Sequence, residues 1–339
     1  MFEYIILIKG AGDMKIVVLG LGAWGSALSA LLLQNQKLID NEHASISKDQ
    51  IYIWARDSNL VDEIADQQMN QRYAPAQKFP TGFYKISHLN QCADMDMAVL
   101  AMPMVGLHDV LAQLSRHLPL LLCTKGITPS KKFETPYEYA CRLGFKSNVL
   151  SGPNLAREIV EGLPCASVIA GKDQVLCKRF ISLFKNKNFR LYSSNDPIGV
   201  SLCAAAKNVI AIAVAISDGA GLGENARSAL ITRSLVEIAR LVKASKGSVE
   251  SVFGLAGIGD LMVTATSVHS RNYRFGYALG RGDTLDQALD YAGATVEGLK
   301  TAKPLLMRAQ GLGIDMPVVK VVNALIEHQM TPHQAVSRL

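Results

Sequence analysis

The sequence predicts an α/β chain, with a doubly wound, mostly parallel sheet followed by an all-helical second domain. Three observations carry this. Strand-like and helix-like segments alternate through the first half, a glycine-rich turn joins the first strand to the first helix, and after about residue 197 only helical periodicity and loops remain. With 339 residues the chain is long enough for two domains of ordinary size.

The elements follow in order. Lys15–Leu19 is a β-branched apolar run that stops at Gly20, and Trp24–Gln34 reads as a helix rich in Ala and Leu. A polar stretch, Gln36–Asp49, reads as a long loop before the next strand, Gln50–Trp54. Met97–Met102 is a buried strand ended by Pro103, and Pro119–Thr124, Asn148–Leu150, Ala166–Ala170 and Phe189–Tyr192 are further strands. Pro197–Ser217 is a long Ala/Val/Ile helix. A Gly-rich break, DGAGLGEN, separates it from a second long helix over Ala226–Ser245, for which Asn225 is the expected N-cap. These boundaries divide the chain into an N-terminal extension (1–13), a dinucleotide-binding domain (14–196) and a helical domain (197–339). The extension is set apart because Met14 opens a better strand, MKIVVLGLG, than MFEYIILIKG does.

Composition narrows the function. A hydrophobic fraction of 49% against 19% charged residues suits a large core. The net charge of +6 is modest, and no block of basic residues interleaves with aromatics, so a nucleic-acid partner is not expected. No apolar run is expected to reach the ~20 residues of a membrane span. The six cysteines, at 92, 123, 141, 165, 177 and 203, form no CxxC pair, which points to reduced, buried thiols in the cytoplasm and to neither disulfides nor a metal site.

The first chemical motif is Gly20-Leu21-Gly22-Ala23-Trp24-Gly25, placed between a strand and a helix as a dinucleotide-binding turn requires. In that Rossmann-type turn the first glycine permits the bend, the second admits a pyrophosphate and the third lets helix pack on strand. The second strand ends in Arg56 and Asp57. An arginine there pairs with a 2′-phosphate and an aspartate with a free ribose hydroxyl, so NAD and NADP both stay open, with a tilt to NADP. Ala101-Met102-Pro103, Thr124-Lys125-Gly126 and Ser151-Gly152-Pro153-Asn154 read as strand-end loops beside the cofactor.

In the second domain, Lys207 shares a helical stripe with Cys203, Ile210 and Val214. Burial there lowers a lysine pKa towards the range useful for proton transfer. Ala204, Ala205 and Ala206 are expected to keep the helix surface low for a ligand. Gly257-Ile258-Gly259-Asp260, Thr264 and Ser270-Arg271-Asn272 form the last cluster. Arg271 offers a planar fork of donors for phosphate, Ser270 and Asn272 add directional hydrogen bonds, and Asp260 can orient an ammonium such as that of Lys207.

Together, GLGAWG, CTKG, SGPNLARE, KNVIAIAVAISDG, NARSALITR, GLAGIGDLMVT, SRNYRFG and VEG, spread over residues 14 to about 330, resemble the NAD(P)-dependent glycerol-3-phosphate dehydrogenases, particularly the bacterial form. The resemblance implies interconversion of dihydroxyacetone phosphate and sn-glycerol 3-phosphate, the latter for phospholipid synthesis. It implies Lys207 as the proton-transferring residue and Lys125, Asp260, Thr264, Ser270, Arg271 and Asn272 as the substrate shell. Cofactor positions matched are Ala23, Trp24, Arg56, Lys125, Gly152, Asn154, Ala156, Arg271, Thr295 and Glu297, besides Gly20, Gly22 and Gly25. Ala23 and Asn154 depart from the family, where Ser and Thr are common. The expected partners are a small phosphorylated substrate and a second copy of the chain in a homodimer. Two other readings are another two-domain dehydrogenase, which should lack the Lys207-Asn208 and Arg271-Asn272 pairs, and an NADP sensor, which has no use for a buried proton donor.

Overall fold

The computed structural model describes residues 14–42, 49–293 and 295–339. The expected extension (1–13) and part of the expected loop (43–48) lie outside the described residues. In chain order the first part holds β1 (Lys15–Leu19), α1 (Ala23–Glu42), β2 (Gln50–Trp54), α2 (Ser58–Gln67), β3 (Met69–Asn70), β4 (Ala74–Lys78), β5 (Tyr84–Lys85), β6 (Met97–Leu100), α3 (Met104–Gln113), β7 (Leu120–Leu122), α4 (Pro136–Arg142), β8 (Ser147–Ser151), α5 (Ala156–Val160), β9 (Cys165–Ala170), α6 (Gln174–Phe184) and β10 (Phe189–Ser194). Helices alone follow: α7 (Pro197–Gly219), α8 (Gly223–Ala244), α9 (Glu250–Phe253), a π turn (Leu255–Gly259), α10 (Asp260–Thr266), α11 (Arg271–Gly280), α12 (Leu285–Ala292), α13 (Glu297–Gly311), α14 (Pro317–Ile326) and α15 (Pro332–Arg338).

The sheet has eight strands in the order β10-β9-β8-β7-β6-β1-β2-β5. All neighbours are parallel except β8 and β9. The chain leaves β1 towards β2 and later returns to place β6 on the other side, so the loop after β1 sits at the point where strand order reverses. Ligands of open α/β sheets bind there. The central strands β1, β6 and β7 read as apolar runs because both faces are covered. Ile16 and Val18 enter one core and Val17 and Leu19 the other, and β6 divides Met97 and Val99 from Ala98 and Leu100 in the same way. Each of these side chains other than Ala98 contributes about 1.5–3 kcal/mol on full burial.

Four expectations are corrected. The first helix runs on to Glu42, through residues read as loop, since a polar stretch without Gly or Pro does not end a helix. Asn225 is not an N-cap: α8 begins at Gly223 after Leu222, and Asn225 lies inside it. Helix α7 is long and apolar enough to cross a membrane by length and composition, with mean hydropathy 1.9, yet 94% of that window is buried inside the protein. Finally, Ala204, Ala205 and Ala206 face protein, at 3%, 0% and 0% exposure, so they tighten helix packing instead of opening a surface.

Helix α7 is the axis of the second domain, buried without a break from Gly199 to Ser217. Its N-terminus is capped by Asp196, which accepts the Gly199 N–H at 3.0 Å and is itself held by Ser248 N–H at 2.8 Å and Ser251 Oγ at 2.6 Å. Helix α11 packs against it at backbone distance. A methyl added at Gly276 would lie 2.3 Å from the Ile212 carbonyl oxygen, and one at Gly280 2.2 Å from that of Ile216.

Candidate active site

The crevice at the end of β1 is shaped by missing side chains. Gly20 has φ +103°, and an added Cβ would meet the Ala101 carbonyl oxygen at 2.7 Å. At Gly25 the same atom would fall 1.8 Å from the Gly20 carbonyl oxygen, so helix and strand can meet only at glycine. Gly22 differs, because a Cβ there would meet nothing within 4 Å. The protein's own packing demands the outer two glycines, whereas Gly22 leaves open space before the first turn of α1. That space fits a pyrophosphate resting on backbone N–H groups at a helix N-terminus. Ala23 is exposed beside it, and Trp24 is half-buried against the sheet core.

Beyond β2, Arg56 and Asp57 have separate fates. Asp57 caps α2, accepting the Asn59 N–H at 3.2 Å, and pairs with Arg72 at 2.8 Å. Arg56 is exposed and lines a cavity of about 490 Å³ with Trp54, His88, Asn90, Gly106 and Gln113. Gly106 makes room for it, since an added Cβ would sit 2.7 Å from Arg56 Nη2. At the ends of the neighbouring strands, Gly152 lets β8 run close to Ser167, whose Cα a methyl would meet at 2.8 Å. Asn154 Nδ2 donates to Ser167 Oγ at 3.0 Å, and half-buried Ala156 opens α5.

The two parts of the chain meet at Asp260. The glycine-rich π turn delivers this residue to the start of α10, 1% exposed. Its Oδ1 accepts from Lys207 Nζ, which comes from the middle of α7 and is 6% exposed. Its Oδ2 accepts from Lys125 Nζ at 3.3 Å, from the loop after β7, and from Ser151 Oγ at 3.1 Å, from the end of β8. Lys207 Nζ also donates to Thr264 Oγ1 at 2.9 Å, and that hydroxyl donates in turn to the Asp260 carbonyl at 2.7 Å.

One carboxylate serves two lysines, and the environment separates them. Burial pulls Lys207 down to about 8, with the neighbouring Lys125 pushing the same way and Asp260 opposing both. Burial works most strongly against the Lys125 charge, but the Asp260 carboxylate, the Lys207 amine and the Glu297 carboxylate together outweigh it and hold that ammonium above the ordinary lysine value. Asp260 resists desolvation because Lys125 and Lys207 hold it below the usual carboxylate range. Titratable neighbours pushed apart in this way mark a proton donor and a fixed charge. The arrangement can transfer a proton from Lys207 while Lys125 stays cationic.

Around this centre the other expected residues fall into place unevenly. Asn272 is buried, its Nδ2 donating to Asn208 Oδ1 at 3.0 Å and its Oδ1 accepting the Gly298 N–H at 3.0 Å. Asn208 Nδ2 then donates to Glu297 Oε2 at 3.0 Å. Asn272 thus ties α7, α11 and α13 together. Ser270 caps α11 by accepting the Tyr273 N–H at 3.3 Å. Arg271, the first residue of that helix, is exposed, as is Thr295 before α13. The sequence reading missed the contacts of Ser151 and Asn208. Ser151 belongs to a motif already noted, but a hydroxyl that reaches Asp260 across 109 positions leaves no local signal.

Comparison with known proteins agrees with this geometry. The chain matches the family description "NAD-dependent glycerol-3-phosphate dehydrogenase N-terminus" over residues 15–177 and the C-terminus of the same family over residues 196–337. It is 38% identical to glycerol-3-phosphate dehydrogenase (NAD(P)+) of Nitrosococcus oceani, covering 96% of this chain and 94% of that one. It is 39% identical to the enzyme of the same name from Methylibium petroleiphilum, covering 96% of each. The crystal structure of glycerol-3-phosphate dehydrogenase from Coxiella burnetii superposes with a TM-score of 0.87 at 34% identity, covering 96% of this chain and 98% of that one. With both halves matched in order, the chain belongs to the NAD-dependent glycerol-3-phosphate dehydrogenase family.

Proposed function

We propose that this chain interconverts dihydroxyacetone phosphate and sn-glycerol 3-phosphate, with Lys207 as the proton-transferring residue. The observation that carries the reading is the buried Lys207, set against the Asp260 carboxylate with its pKa lowered to about 8. When bound, a nicotinamide dinucleotide supplies or accepts the hydride. The residues that would hold it are Gly20, Gly22, Ala23, Trp24 and Gly25 at the phosphates, Arg56 at the adenosine end, and Lys125, Gly152, Asn154, Ala156, Arg271, Thr295 and Glu297 nearer the reacting end. With Asp57 engaged by Arg72, Arg56 is left to face the cavity, which favours NADP.

In reduction, Lys207 gives its proton to the oxygen of the substrate carbonyl, and in oxidation the neutral amine takes it back. Lys125, kept cationic, orients the substrate oxygen, and Asp260 and Thr264 hold the Lys207 ammonium in place. Arg271 grips the phosphate with its planar fork, and Ser270 and Asn272 join it in the substrate shell while also holding the start of α11 that presents it. Phosphate binding is thereby spent on orientation at the carbonyl. We place the domain boundary at Asp196, the cap of α7. The same reading takes the chain as a cytoplasmic homodimer supplying glycerol 3-phosphate for phospholipid synthesis; of the cysteines expected to be buried, Cys141 is exposed and Cys165 half-buried. Sedimentation at micromolar concentration checks the dimer.

The direct test is oxidation of NADPH and NADH with dihydroxyacetone phosphate beside a panel of other ketones. Preference for the phosphorylated ketone supports the reading, and equal rates across the panel overturn it. The pH profile adds a signed check. Reduction needs the Lys207 ammonium, so its rate should fall as pH rises through about 8, and oxidation should rise over the same interval.

A further inference from the structure

We propose that Ser151 is a positioning residue for this reaction, its hydroxyl fixing the rotation of the Asp260 carboxylate so that one oxygen serves Lys207 and the other Lys125. The proposal rests on the reading of Lys207 as proton donor. Ser151 is fully buried at the end of β8, a strand held by β7 on one side and by β9 on the other, with Ser151 facing Val168. Its Oγ donates to Asp260 Oδ2 at 3.1 Å.

The physical need is specific. The terminal torsion of an aspartate is broad, so a carboxylate does not choose its own rotation. Lys125 and Lys207 reach Asp260 on flexible four-carbon stems, and an ammonium is a point charge that follows an oxygen wherever it turns. A hydroxyl on a central strand is a fixed reference. It also arrives from the sheet, while Asp260, Lys207 and Thr264 belong to the helical part, so it sets the carboxylate relative to the part that carries Lys125. A neutral donor on Oδ2 brings a second effect. It spreads the carboxylate charge without adding another cation, so Asp260 stays ionised but grips the Lys207 proton less tightly. The groups bearing on Lys207 are Asp260 from α10 and Lys125 from the loop after β7, and Asp260 also bears on the buried thiol of Cys203 one turn back in α7. Glu297 at the start of α13 acts on Lys125 and holds Asn208, and Asp196 at the start of α7 acts on Cys203.

The test uses the full chain and three variants, Ser151→Ala, Ser151→Thr and Lys207→Met. The readouts are kcat, KM and the pH profile in both directions from about pH 6 to about pH 10, beside thermal melting. Ser151→Ala should lower kcat by roughly tenfold, leave the KM for the dinucleotide unchanged and move the Lys207 limb upward by roughly half a unit. Ser151→Thr, which keeps the hydroxyl, should return the limb to its wild-type position. A Ser151→Ala enzyme that melts lower but keeps its limb and kcat overturns the proposal, since Ser151 then only packs. If Ser151→Ala does not fold, Ser151→Cys, a weaker donor, is read by the same criterion: a raised limb supports the proposal and an unmoved one overturns it. Lys207→Met separates the two levels. If it keeps both activity and limb, the reading of Lys207 fails. If it abolishes turnover while Ser151→Ala leaves the limb in place, only the role of Ser151 fails.

Discussion

At the carboxyl edge of the sheet the crevice is built from absent side chains: glycines at 20, 22 and 25, backbone donors at a helix start, and an exposed Arg56. Across from it the lysine centre is built from side chains packed almost out of reach of water, with Lys207 at 6% and Asp260 at 1% exposure. In our proposal the first region binds with groups that cost little to present. The second concentrates charge where it is expensive, and an uncompensated ion there costs several kcal/mol. Damage to the crevice should therefore be graded and read mainly in cofactor affinity. Damage to the lysine centre should be steep and read in turnover.

The largest expected effect tests the steep side. Lys207→Met should cut turnover by ~10²–10⁴-fold while fluorescence titration shows NADPH binding retained. A variant keeping more than about a tenth of wild-type turnover breaks the contrast. Next comes Arg271, which is exposed but aimed at the substrate in our reading. Arg271→Ala should lower kcat/KM for dihydroxyacetone phosphate by roughly 30-fold or more, since losing one partner of a charged hydrogen-bonded pair costs ~2–5 kcal/mol and each ~1.4 kcal/mol is tenfold. Unphosphorylated dihydroxyacetone should lose much less, and an equal loss for both would assign Arg271 to the chemistry or the cofactor instead.

On the graded side, Arg56→Ala should weaken NADPH by roughly tenfold and leave NADH nearly unchanged, as measured by the KM of each. Equal losses would show that Arg56 does not read the 2′-phosphate. The smallest effect sharpens the crevice itself. Gly25→Ala should destabilise the fold by about 1–3 kcal/mol in urea unfolding, because its methyl has no room. Gly22→Ala should stay within about 0.5 kcal/mol of wild type and yet weaken the dinucleotide. If both variants unfold alike, Gly22 is structural and its open space is not a phosphate seat.

The same contrast explains what could be read from sequence. GLGAWG is legible because all its constraints are local: a strand ends, a turn needs positive φ, a helix starts. The β-branched strands of the sheet were placed to within a few residues for the same reason. Lys207 was found only as an oddity in an apolar helix, and the expected apolar stripe understated a helix buried on every side. What Lys207 touches depends on Asp260, 53 positions away, and what Asp260 touches depends on Lys125 and Ser151 in another domain. Asn272 shows the limit from the other direction. Its type suggests a phosphate donor, and its amide also joins Asn208 and Gly298, a second role that only the packing of α11 on α7 reveals. The short strands β3, β4 and β5 carry no readable signal because two to five residues give no usable period, and β4 also contains Pro75.

Helix α7 has a consequence for how the chain is made. Its apolar surface is covered by α8, α10, α11, α13 and α14, all of which follow it in sequence. During synthesis at ~5–20 residues per second, the ribosome must continue from Gly219 to Ile326, on the order of ten seconds, before the last of these covers emerges. For that interval the nascent segment has the length and hydropathy of a membrane span and, of its neighbours, has β8 and α4 behind it but lacks most of the helices that cover it. Apolar surface exposed in this way during synthesis is prone to aggregate, and slowing translation downstream of residue 219 lengthens that window.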